Sequence, residues 1–466
     1  MAPPWCWQHD AGIVGLALVT FSVCQVAFLL HPPEVYMDEI FHVPQAQRYC
    51  KGHYYEWDPK ITTLPGLYIV ASTTFVPVLR LITDHACEAV PLRLLNAVFS
   101  LITMAVMVAL LRRRMGFNQA AAHAATMWLY PSSFFFTFLF YTDPGSTFFV
   151  LATIWLVQEA AFETAVLASP GWRVFAAALT SAGAIMFRQT NAVWCAFILG
   201  TALLQQLQAL SPLTLLTVPR FALAIAANAG PLFWGLWPLL VPLIGFAVFV
   251  LANGSIVVGD KDHHTSALHL AQLAYCAAAA ASMHISVGVN EGAISTATLR
   301  DFVVFMKRRC ASRSRIVLSA AAAGLCLVAL WKCSLAHPFT LSDNRHYTFY
   351  VWRRVLGRSV LHRCLLLPVY IYAAWLVLSR VTVVRSSLWV LMFTVVTALV
   401  LVPSPLIEPR YLNIPVLIAH LNSPQRSAKS LLSTALACAL VNLVTVWVFL
   451  EKPFRWPDGS IARFMW

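Results

Sequence analysis

The stretch AGIVGLALVTFSVCQVAFLLHPPEVYMDEIFH, residues 11–42, contains the pattern that decides the fold. Residues 11–30 are apolar and long enough to cross a bilayer as a helix. The tripeptide HPP follows them, and not the small-residue site at which signal peptides are cleaved, so we expect a retained signal anchor. Two adjacent carboxylates, Asp38 and Glu39, come soon after this expected membrane span.

Apolar runs of this kind recur along the whole chain. Of its 466 residues, 59% are hydrophobic and only 11% are charged, less than half of the roughly 25% that a soluble domain carries. Lipid contains no water to satisfy free backbone groups, so the runs are expected to be helices, and their continuity excludes a transmembrane barrel. The composition therefore predicts an all-α, polytopic integral membrane protein.

The net charge of +13 lies mostly in short loops between these runs. Basic loops set membrane orientation and contact anionic lipid, and no basic face alternates with aromatic residues, so we expect no nucleic-acid partner. Placing the basic cluster at 112–114 in the cytoplasm makes residues 31–92 one long outer loop. Within that loop, residues 66–79 are apolar but too short for a span and contain Pro77, which favours an interfacial or re-entrant segment.

With this orientation the chain is expected to cross the membrane about twelve or thirteen times, as one integral unit. It consists of the outer loop 31–92, membrane helices in 93–250, and membrane helices with polar outer loops in 251–466. The stretch 211–230 is expected at the cytoplasmic side or the interface. After residues 11–30, the expected spans are 94–111, 120–140, 145–162, 172–187, 192–209, 231–252, 267–286, 316–335, 360–379, 387–402, a short one near 411–421, and 431–450.

The polar, motif-like loops all fall on the outer side, together with Asp38. A transporter would concentrate polar groups in broken helices near the bilayer midplane. Polar groups collected on one face instead favour an enzyme that works at one membrane surface. The loops are YTDPG (141–145), FRQTN (187–191), NGSIVVGD (253–260), DNRHY (343–347) and EPRY (408–411).

Asp38 and His42 are four residues apart, so they share one face of a helix, whereas Glu39 points about a quarter-turn away. A carboxylate here suits a general base, which takes a proton from a hydroxyl during attack. The structural alternative is an acidic pair that caps a short helix after Pro33. The second polar loop, with Trp57, Asp58 and Lys60, favours function, because a flat indole beside a polar acceptor suits sugar binding better than a membrane belt.

The densest polar run extends from Asp343 to Arg358. On a helix, His346, Tyr350 and Arg353 or Arg354 would line one side. The arginines and the histidine of that face could hold a phosphate; the alternative is contact with anionic lipid headgroups. Arg188 and Arg410 are weaker candidates of the same kind. The donor-side candidates in the run itself are Asp343, Asn344, Arg345, His346, Tyr350 and Arg353.

Two further sites carry weaker signals. Asp260, with His263 and His264 close behind, could hold a metal, but adjacent histidines are poorly spaced for joint ligation, and a solvated loop is the better interpretation. Most of the cysteines lie in or beside apolar runs as small hydrophobic side chains. Cys50 and Cys87 could meet in the outer loop.

Six segments in order resemble one family, the endoplasmic-reticulum alpha-1,2-glucosyltransferases, which add the third and last glucose to the lipid-linked oligosaccharide of asparagine-linked glycosylation. The resemblance implies the membrane glycosyltransferase fold called GT-C, with its active site facing the lumen. It also implies dolichyl-phosphate-glucose as donor and a diglucosylated high-mannose dolichyl-diphosphate oligosaccharide as acceptor. The segments are YMDEIFHVPQAQRYC, WDPKITTLPGLY, FRQTN, NGSIVVGD, DNRHYTFYVWRRV and RFMW.

In that fold class the base is an acid of the first luminal loop, which leaves Asp38 and Glu39, with Asp38 the stronger candidate. The resemblance implies that Glu39, His42 and the Trp57–Lys60 segment contact the acceptor. We expect Arg345, His346 and Arg353 to hold the donor phosphate, with Asp260 in a donor loop and no metal cofactor. A mannosyltransferase of the same fold and a lipid-linked-sugar transporter are the alternatives.

Overall fold

The computed structural model describes residues 6–163, 169–210, 218–261, 266–285, 292–335 and 337–466, and these are almost entirely helical. The α-helices of the first half are α1 (Cys6–Leu30), α2 (Glu39–Cys50), α3 (Gly66–Val70), α4 (Val76–Leu79), α5 (Ala89–Leu111), α6 (Phe117–Trp128), α7 (Pro131–Phe135), α8 (Thr142–Glu163), α9 (Trp172–Phe187), α10 (Asn191–Leu210), α11 (Val218–Ala227) and α12 (Ala229–Asn253).

The second half continues with shorter helices between the long ones. They are α13 (Ala271–Ser282), α14 (Thr296–Arg309), α15 (Arg313–Lys332), α16 (Pro338–Ser342), α17 (Tyr347–Val351), α18 (Val360–Leu365), α19 (Leu367–Val384), α20 (Ser387–Leu401), α21 (Asn413–Leu421) and α22 (Ala428–Glu451). Single π turns span Ala71–Phe75 and Trp352–Leu356, and 3₁₀ turns span Phe136–Phe138 and Pro409–Leu412. Two short strands, β1 (Phe454–Arg455) and β2 (Ile461–Ala462), pair antiparallel.

The helices confirm an all-α, multi-pass membrane protein. Among the described residues, six are long and apolar enough to cross a membrane, or seven if one bent pair counts as a span. By this criterion the spans are fewer than the twelve or thirteen expected from hydropathy, because several apolar runs are divided into shorter helices. Of the ambiguous stretch 211–230, residues 211–217 lie outside the described part of the chain.

The expected single span at 120–140 is wrong. Helix α6 ends at Trp128, and Pro131 begins α7, because proline has no N–H to continue a helix but is suited to a first turn. The helical segment up to Phe138 meets α8 at an angle of 120°. The buried Asn96 amide bridges the break by donating to the carbonyl oxygens of Leu139 and Tyr141, at 2.6 and 2.7 Å.

An aromatic core fixes the chain where it leaves α1. The Phe28 ring packs on Phe138 and Phe449 at centroid distances of 5.2 and 5.8 Å. Tyr36 packs on Phe449 at 5.8 Å, and its hydroxyl accepts from the Arg463 N–H at 2.7 Å. The segment that precedes Asp38 is therefore held between α22 and the end of the chain.

The outer loop 31–92 is a compact assembly of short helices. Helices α3 and α4 and the π turn between them form one helical segment over 66–79, and the π turn stands where Pro77 removes an N–H. A disulfide joins Cys50 to Cys87 across 37 residues, which confirms the pairing that the sequence left as a possibility. The disulfide ties the end of α2 to the start of α5.

Candidate active site

A cavity of ≈ 580 Å³ opens where the polar loops of the chain meet. Its walls come from the start of α2, the loop before α3, the turn before α8, the loop before α17, the loop before α21 and the C-terminal tail. Eight of the candidate residues line it: Asp38, His42, Lys60, Arg188, Asp343, Arg345, His346 and Arg410.

Backbone hydrogen bonds join the motif loops that surround the cavity. The N–H groups of Val258 and Asp260 donate to the carbonyl oxygens of Thr62 and Pro59, at 3.0 and 2.9 Å. The Gln189 side chain also donates to Thr62 O, at 2.7 Å. Gly259 is required between these bonds, because a Cβ there would overlap the carbonyl oxygens of the neighbouring loop.

The C-terminal tail forms another wall of the cavity. Met465 donates its N–H to Arg345 O at 2.9 Å, and its own carbonyl accepts from the Tyr347 N–H at 3.0 Å. The Asn344 side chain accepts from Trp456 Nε1 at 3.1 Å, which holds that indole against the cavity. The segments DNRHY and RFMW, far apart in sequence, therefore form one surface.

Asp38 is the residue that directly precedes α2. The preceding Met37 has φ 55°, a left-handed conformation that costs a non-glycine residue about 1–3 kcal/mol. Asp38 itself has helical angles, and its side chain makes no capping bond. The capping alternative is therefore wrong for Asp38, whose side chain keeps 37% of its surface exposed to the cavity.

Arg410 binds the Asp38 carboxylate. Its Nη1 lies 2.7 Å from Asp38 Oδ2, its Nε donates to Glu408, and its Nη1 is 3.9 Å from Asp143 Oδ2. Burial alone would raise the pKa of Asp38, but the charge and hydrogen bond of Arg410, together with the nearby His42 and His346, outweigh burial and hold the pKa below its usual range. Asp38 is therefore an ionised carboxylate at neutral pH. Arg188 donates to the other oxygen of Asp143 and extends the network.

Glu39 has a different environment from its neighbour. It is fully buried and accepts two bonds from Arg93, at 2.8 and 2.7 Å. Its carboxylate also accepts from the N–H groups of Tyr36 and Phe140. The expectation that Glu39 contacts the acceptor is therefore wrong, because all of its surface is occupied in holding the start of α2 against α5 and the α7–α8 turn.

His42 lies one helical turn from Asp38 and also lines the cavity. Its Nδ1 is 2.6 Å from the Tyr68 hydroxyl. Burial lowers the pKa of His42, and the nearby Asp38 charge only partly opposes this, so the imidazole is neutral at neutral pH. On the same side, the Lys60 ammonium lies 5.4 Å from the centre of the Phe41 ring.

Arg345 lines the cavity beside the C-terminal tail. Asp343 accepts two bonds from it, both at 2.8 Å, and its guanidinium stacks 4.5 Å from the Trp456 ring. His346 Nε2 is 3.7 Å from Asp343, and its Nδ1 lies 3.1 Å from Trp466 O. Among the described residues, the cavity is thus lined by three guanidinium groups, each paired with a carboxylate, and by two histidines.

Comparison with known proteins identifies the family. A profile of the DIE2/ALG10 family matches residues 32–421, which include Asp38 and all three arginines that line the cavity. The chain belongs to the DIE2/ALG10 family. A mouse protein named Dol-P-Glc:Glc(2)Man(9)GlcNAc(2)-PP-Dol alpha-1,2-glucosyltransferase is 34% identical and covers 93% of this chain and 93% of its own length.

Other relatives of this DIE2/ALG10 family member bear the same name. A rat protein is 35% identical over 93% of this chain and 93% of its own length. An Arabidopsis thaliana protein is 32% identical over 93% of this chain and 95% of its own length. The chain is therefore similar to these enzymes along nearly its whole length, on both sides of the cavity.

The remaining candidate residues lie beside the cavity and not on its wall. Trp57 donates its ring N–H to Ile61 O, and Asp58 accepts from the Lys60 N–H, so both shape the loop that presents Lys60. Asp260 joins two loops through its backbone. His263 and His264 lie outside the described residues.

The expected helix face through His346, Tyr350 and Arg353 does not form. His346 is extended, with φ −86° and ψ 137°, and α17 begins only after it. The π turn that follows α17 changes the angular spacing of the side chains again. Arg353 is exposed, and its guanidinium lies over the Phe349 ring. Tyr350 packs on Phe464 in the tail. Arg345 and His346 therefore line the cavity without Arg353.

Several residues that shape the cavity and its surroundings are not among the predicted site residues. Arg93 is a lone arginine near the start of an apolar helix, and a charge at that position was a usable signal. Asp143 and Glu408 lie in motif loops, but only their arginine partners, Arg188 and Arg410, were predicted as site residues. Trp456 gave no signal and Trp466 appeared only as part of the segment RFMW, because the place of both indoles depends on the path of the tail. Among the described residues, no group of three or more His, Cys, Asp or Glu side chains is arranged to hold a metal ion.

Proposed function

We propose that this protein transfers glucose from dolichyl-phosphate-glucose to the terminal glucose of a diglucosylated, high-mannose dolichyl-diphosphate oligosaccharide. The product is the last alpha-1,2 glucose linkage before the oligosaccharide is used in protein N-glycosylation. Membership of the DIE2/ALG10 family and the names of the relatives support the substrates. The observation that carries the chemistry is the ionised Asp38 carboxylate, exposed in a cavity that cationic side chains line.

The reaction inverts the configuration of the transferred sugar. The donor glucose is beta-linked to phosphate and the product linkage is alpha, so one direct displacement accounts for the outcome, as in inverting glycosidases. Asp38 accepts the proton of the acceptor 2-hydroxyl as that oxygen attacks the anomeric carbon. Arg410 keeps Asp38 ionised and fixes one of its oxygens at 2.7 Å, which aims the carboxylate into the cavity.

The leaving group is dolichyl phosphate, which is stable as an anion and needs no strong acid. Arg345 and His346, which line the same cavity as Asp38, bind it, with Arg188 as a further cation. Positive groups fixed where negative charge develops stabilise the transition state. These side chains occupy the place that a divalent ion takes in other transferases, and we propose that transfer proceeds without one.

We place the protein in the endoplasmic-reticulum membrane with the cavity facing the lumen. Helix α5 begins just after Cys87, at the end of the outer loop, and ends just before the basic residues 112–114. At 1.5 Å per residue, its two ends are about 35 Å apart. Basic clusters favour the cytoplasm, so the cavity end is luminal. The Cys50–Cys87 disulfide supports an oxidising compartment on that side.

Transfer by the purified protein tests this function. The assay supplies the defined diglucosylated acceptor with either dolichyl-phosphate-glucose or dolichyl-phosphate-mannose. We expect an alpha-1,2-glucosylated product with the first donor and at least 100-fold less product with the second, because a pocket built to bond sugar hydroxyls discriminates strongly between epimers. Equal or faster use of the mannose donor would instead support a mannosyltransferase. Facilitated passage of intact lipid-linked sugar across liposomes without transfer would support a transporter.

A further inference from the structure

A second, smaller cavity of ≈ 190 Å³ adjoins the active-site cavity. We call it the side pocket; it lies between the ends of α9 and α20 and the starts of α8, α10 and α21. Asp38 is not among its lining residues. The walls that it shares with the larger cavity come from Thr62, Thr63, Arg188, Arg410 and Tyr411.

Besides the Thr63 hydroxyl, three buried oxygen atoms of the side pocket that can only accept have no hydrogen-bond partner among the described residues. They are Oδ2 of Asp143, Oδ1 of Asn191 and Oδ1 of Asn413, on side chains that are 5%, 1% and 2% exposed. Arg410 Nη1 lies 3.9 Å from Asp143 Oδ2, beyond hydrogen-bond distance, and Arg188 donates to the other oxygen of this carboxylate. An unpaired buried acceptor is costly, and three that line one small cavity indicate a ligand that donates several hydrogen bonds.

The surroundings of Asn191 fix which of its atoms is available. Its amide nitrogen donates to Ala184 O and to Ser146 Oγ, both at 2.7 Å. The Ala184 carbonyl can only accept, so the nitrogen must face it and the oxygen must take the other side of the amide. The free acceptor at Asn191 is thus required by its neighbours and does not depend on how the amide was oriented.

The rest of the lining suits a sugar ring. The pocket holds about six water molecules at the roughly 30 Å³ that each occupies in the liquid, which is the scale of one hexose. The Trp194 and Tyr411 rings line it beside the three acceptors, and a sugar presents apolar C–H faces and several hydroxyl donors together. A phosphate is disfavoured there, because all three oxygens are acceptors and one belongs to a carboxylate.

We propose that the side pocket is a glucose-binding subsite in which Asp143, Asn191 and Asn413 accept hydrogen bonds from sugar hydroxyls. This inference rests on the proposed function, which supplies two sources of a glucose ring. One is the glucose of the donor, and the other is the terminal glucose of the acceptor. Either ring would keep its reacting atom near the junction of the two cavities, where Arg188 and Arg410 lie.

Asn413→Leu removes one acceptor while keeping the number and branching of the side-chain heavy atoms, and it tests the proposal. Loss of one hydrogen bond from a neutral group predicts a KM about three- to tenfold higher for the substrate whose glucose occupies the pocket. A higher KM for the lipid-phosphate donor identifies the donor ring, and a higher KM for the oligosaccharide identifies the acceptor ring. Monodeoxy analogues of that glucose sharpen the test, because the analogue that lacks the bonded hydroxyl should lose affinity in the wild type but little more in the variant.

Asn442→Leu is the matched control. Asn442 is fully buried and its Oδ1 also has no hydrogen-bond partner among the described residues, but it lines neither cavity. We expect this variant to keep both KM values. Unchanged KM values in Asn413→Leu, or an equal change in both variants, would overturn the subsite while the wild type still transfers glucose. Failure of the wild type to transfer would instead count against the proposed function itself.

Discussion

Asp38 and Glu39 are neighbours in sequence, yet their carboxylates have opposite surroundings. The Glu39 side chain is fully buried and paired with Arg93, whereas the Asp38 side chain is 37% exposed to the cavity and paired with Arg410. The turn of about 100° between successive helical residues separates them. One acid is thus free to meet a substrate, because the other holds the helix that presents it.

Asp38→Asn should abolish transfer while the protein still folds. The amide keeps the size of the side chain but cannot take a proton, and a general base contributes about 10²- to 10⁴-fold to a rate. The measurement is kcat with the purified variant at saturating donor and acceptor. Asp84→Asn, at an exposed position of the same outer loop, is the control and should keep wild-type kcat. Wild-type kcat in Asp38→Asn would remove Asp38 from the reaction.

Arg93→Met should lower stability more than any change at Asp38. It leaves the Glu39 carboxylate buried without its cation, and breaking such a pair costs about 3–5 kcal/mol. The measurement is the thermal midpoint in detergent. The double variant Glu39→Gln with Arg93→Met should recover part of the loss, because no charge is then buried alone. A midpoint unchanged in Arg93→Met would show that the pair does not hold the outer loop.

The sequence was sufficient for the parts of the site that lie within one loop. Apolar runs predicted a multi-pass helical protein, and the four-residue spacing placed Asp38 and His42 on one face of the cavity. It was not sufficient where the chain departs from a regular helix. The extended backbone at His346 and the π turn after α17 separate residues that an ideal helix would align. A prediction from residue spacing assumes the regular geometry of an α-helix, and the backbone at His346 and in the π turn departs from that geometry.

Long-range partners were also out of reach of a single sequence. Arg410 meets Asp38 across 372 residues, and nothing in either motif specifies the other. The sequence shows the cause of the break in the expected span at 120–140, which is Pro131, but it does not show the consequence of that break. That break places Tyr141 on the active-site cavity and Asp143 on the side pocket. The buried Asn96 amide makes the break possible, because it donates to the carbonyl oxygens that the helix no longer bonds. The satisfaction of backbone groups by a distant side chain cannot be deduced from local pattern.

The Cys50–Cys87 disulfide should stabilise the outer loop. Closing a loop of 37 residues is worth about 3–4 kcal/mol in the chain-entropy account. Replacing both cysteines by serine should lower the thermal midpoint, and dithiothreitol should then have no further effect on the variant. Cys310→Ser, at an exposed free cysteine, is the control and should leave the midpoint unchanged. A wild-type midpoint that dithiothreitol does not change would contradict this role.

Transfer should persist in a chelator. Arg188 and Arg345 line the cavity and supply positive charge where the phosphate leaves, so a divalent ion has no separate task there. The measurement is the initial rate after dialysis against EDTA, compared with the rate after manganese or magnesium is restored. We expect rates within about twofold of each other. A rate lost in EDTA and recovered with manganese would show that a metal, and not these guanidinium groups, stabilises the leaving group.

Arg410→Gln should move the acid limb of the pH–rate profile to higher pH. In the wild type, Arg410 and the nearby histidines together outweigh burial and hold the pKa of Asp38 below its usual range, so the base is ionised throughout the neutral region. Without the guanidinium, burial dominates and raises that pKa, so protonation removes the base at a higher pH than before. The measurement is kcat/KM from pH 4.5 to 8, which reports groups of the free enzyme.

Arg410→Lys separates this electrostatic role from a merely structural one. Lysine keeps the positive charge, so the acid limb should stay closer to that of the wild type, even if the altered geometry lowers the rate at every pH. A rate in Arg410→Gln that falls equally at all pH values, with its acid limb unmoved, would show that Arg410 acts on something other than Asp38. A shifted limb in Arg410→Gln and a smaller shift in Arg410→Lys would identify Asp38 as the group that titrates, because Arg410 donates directly to its Oδ2.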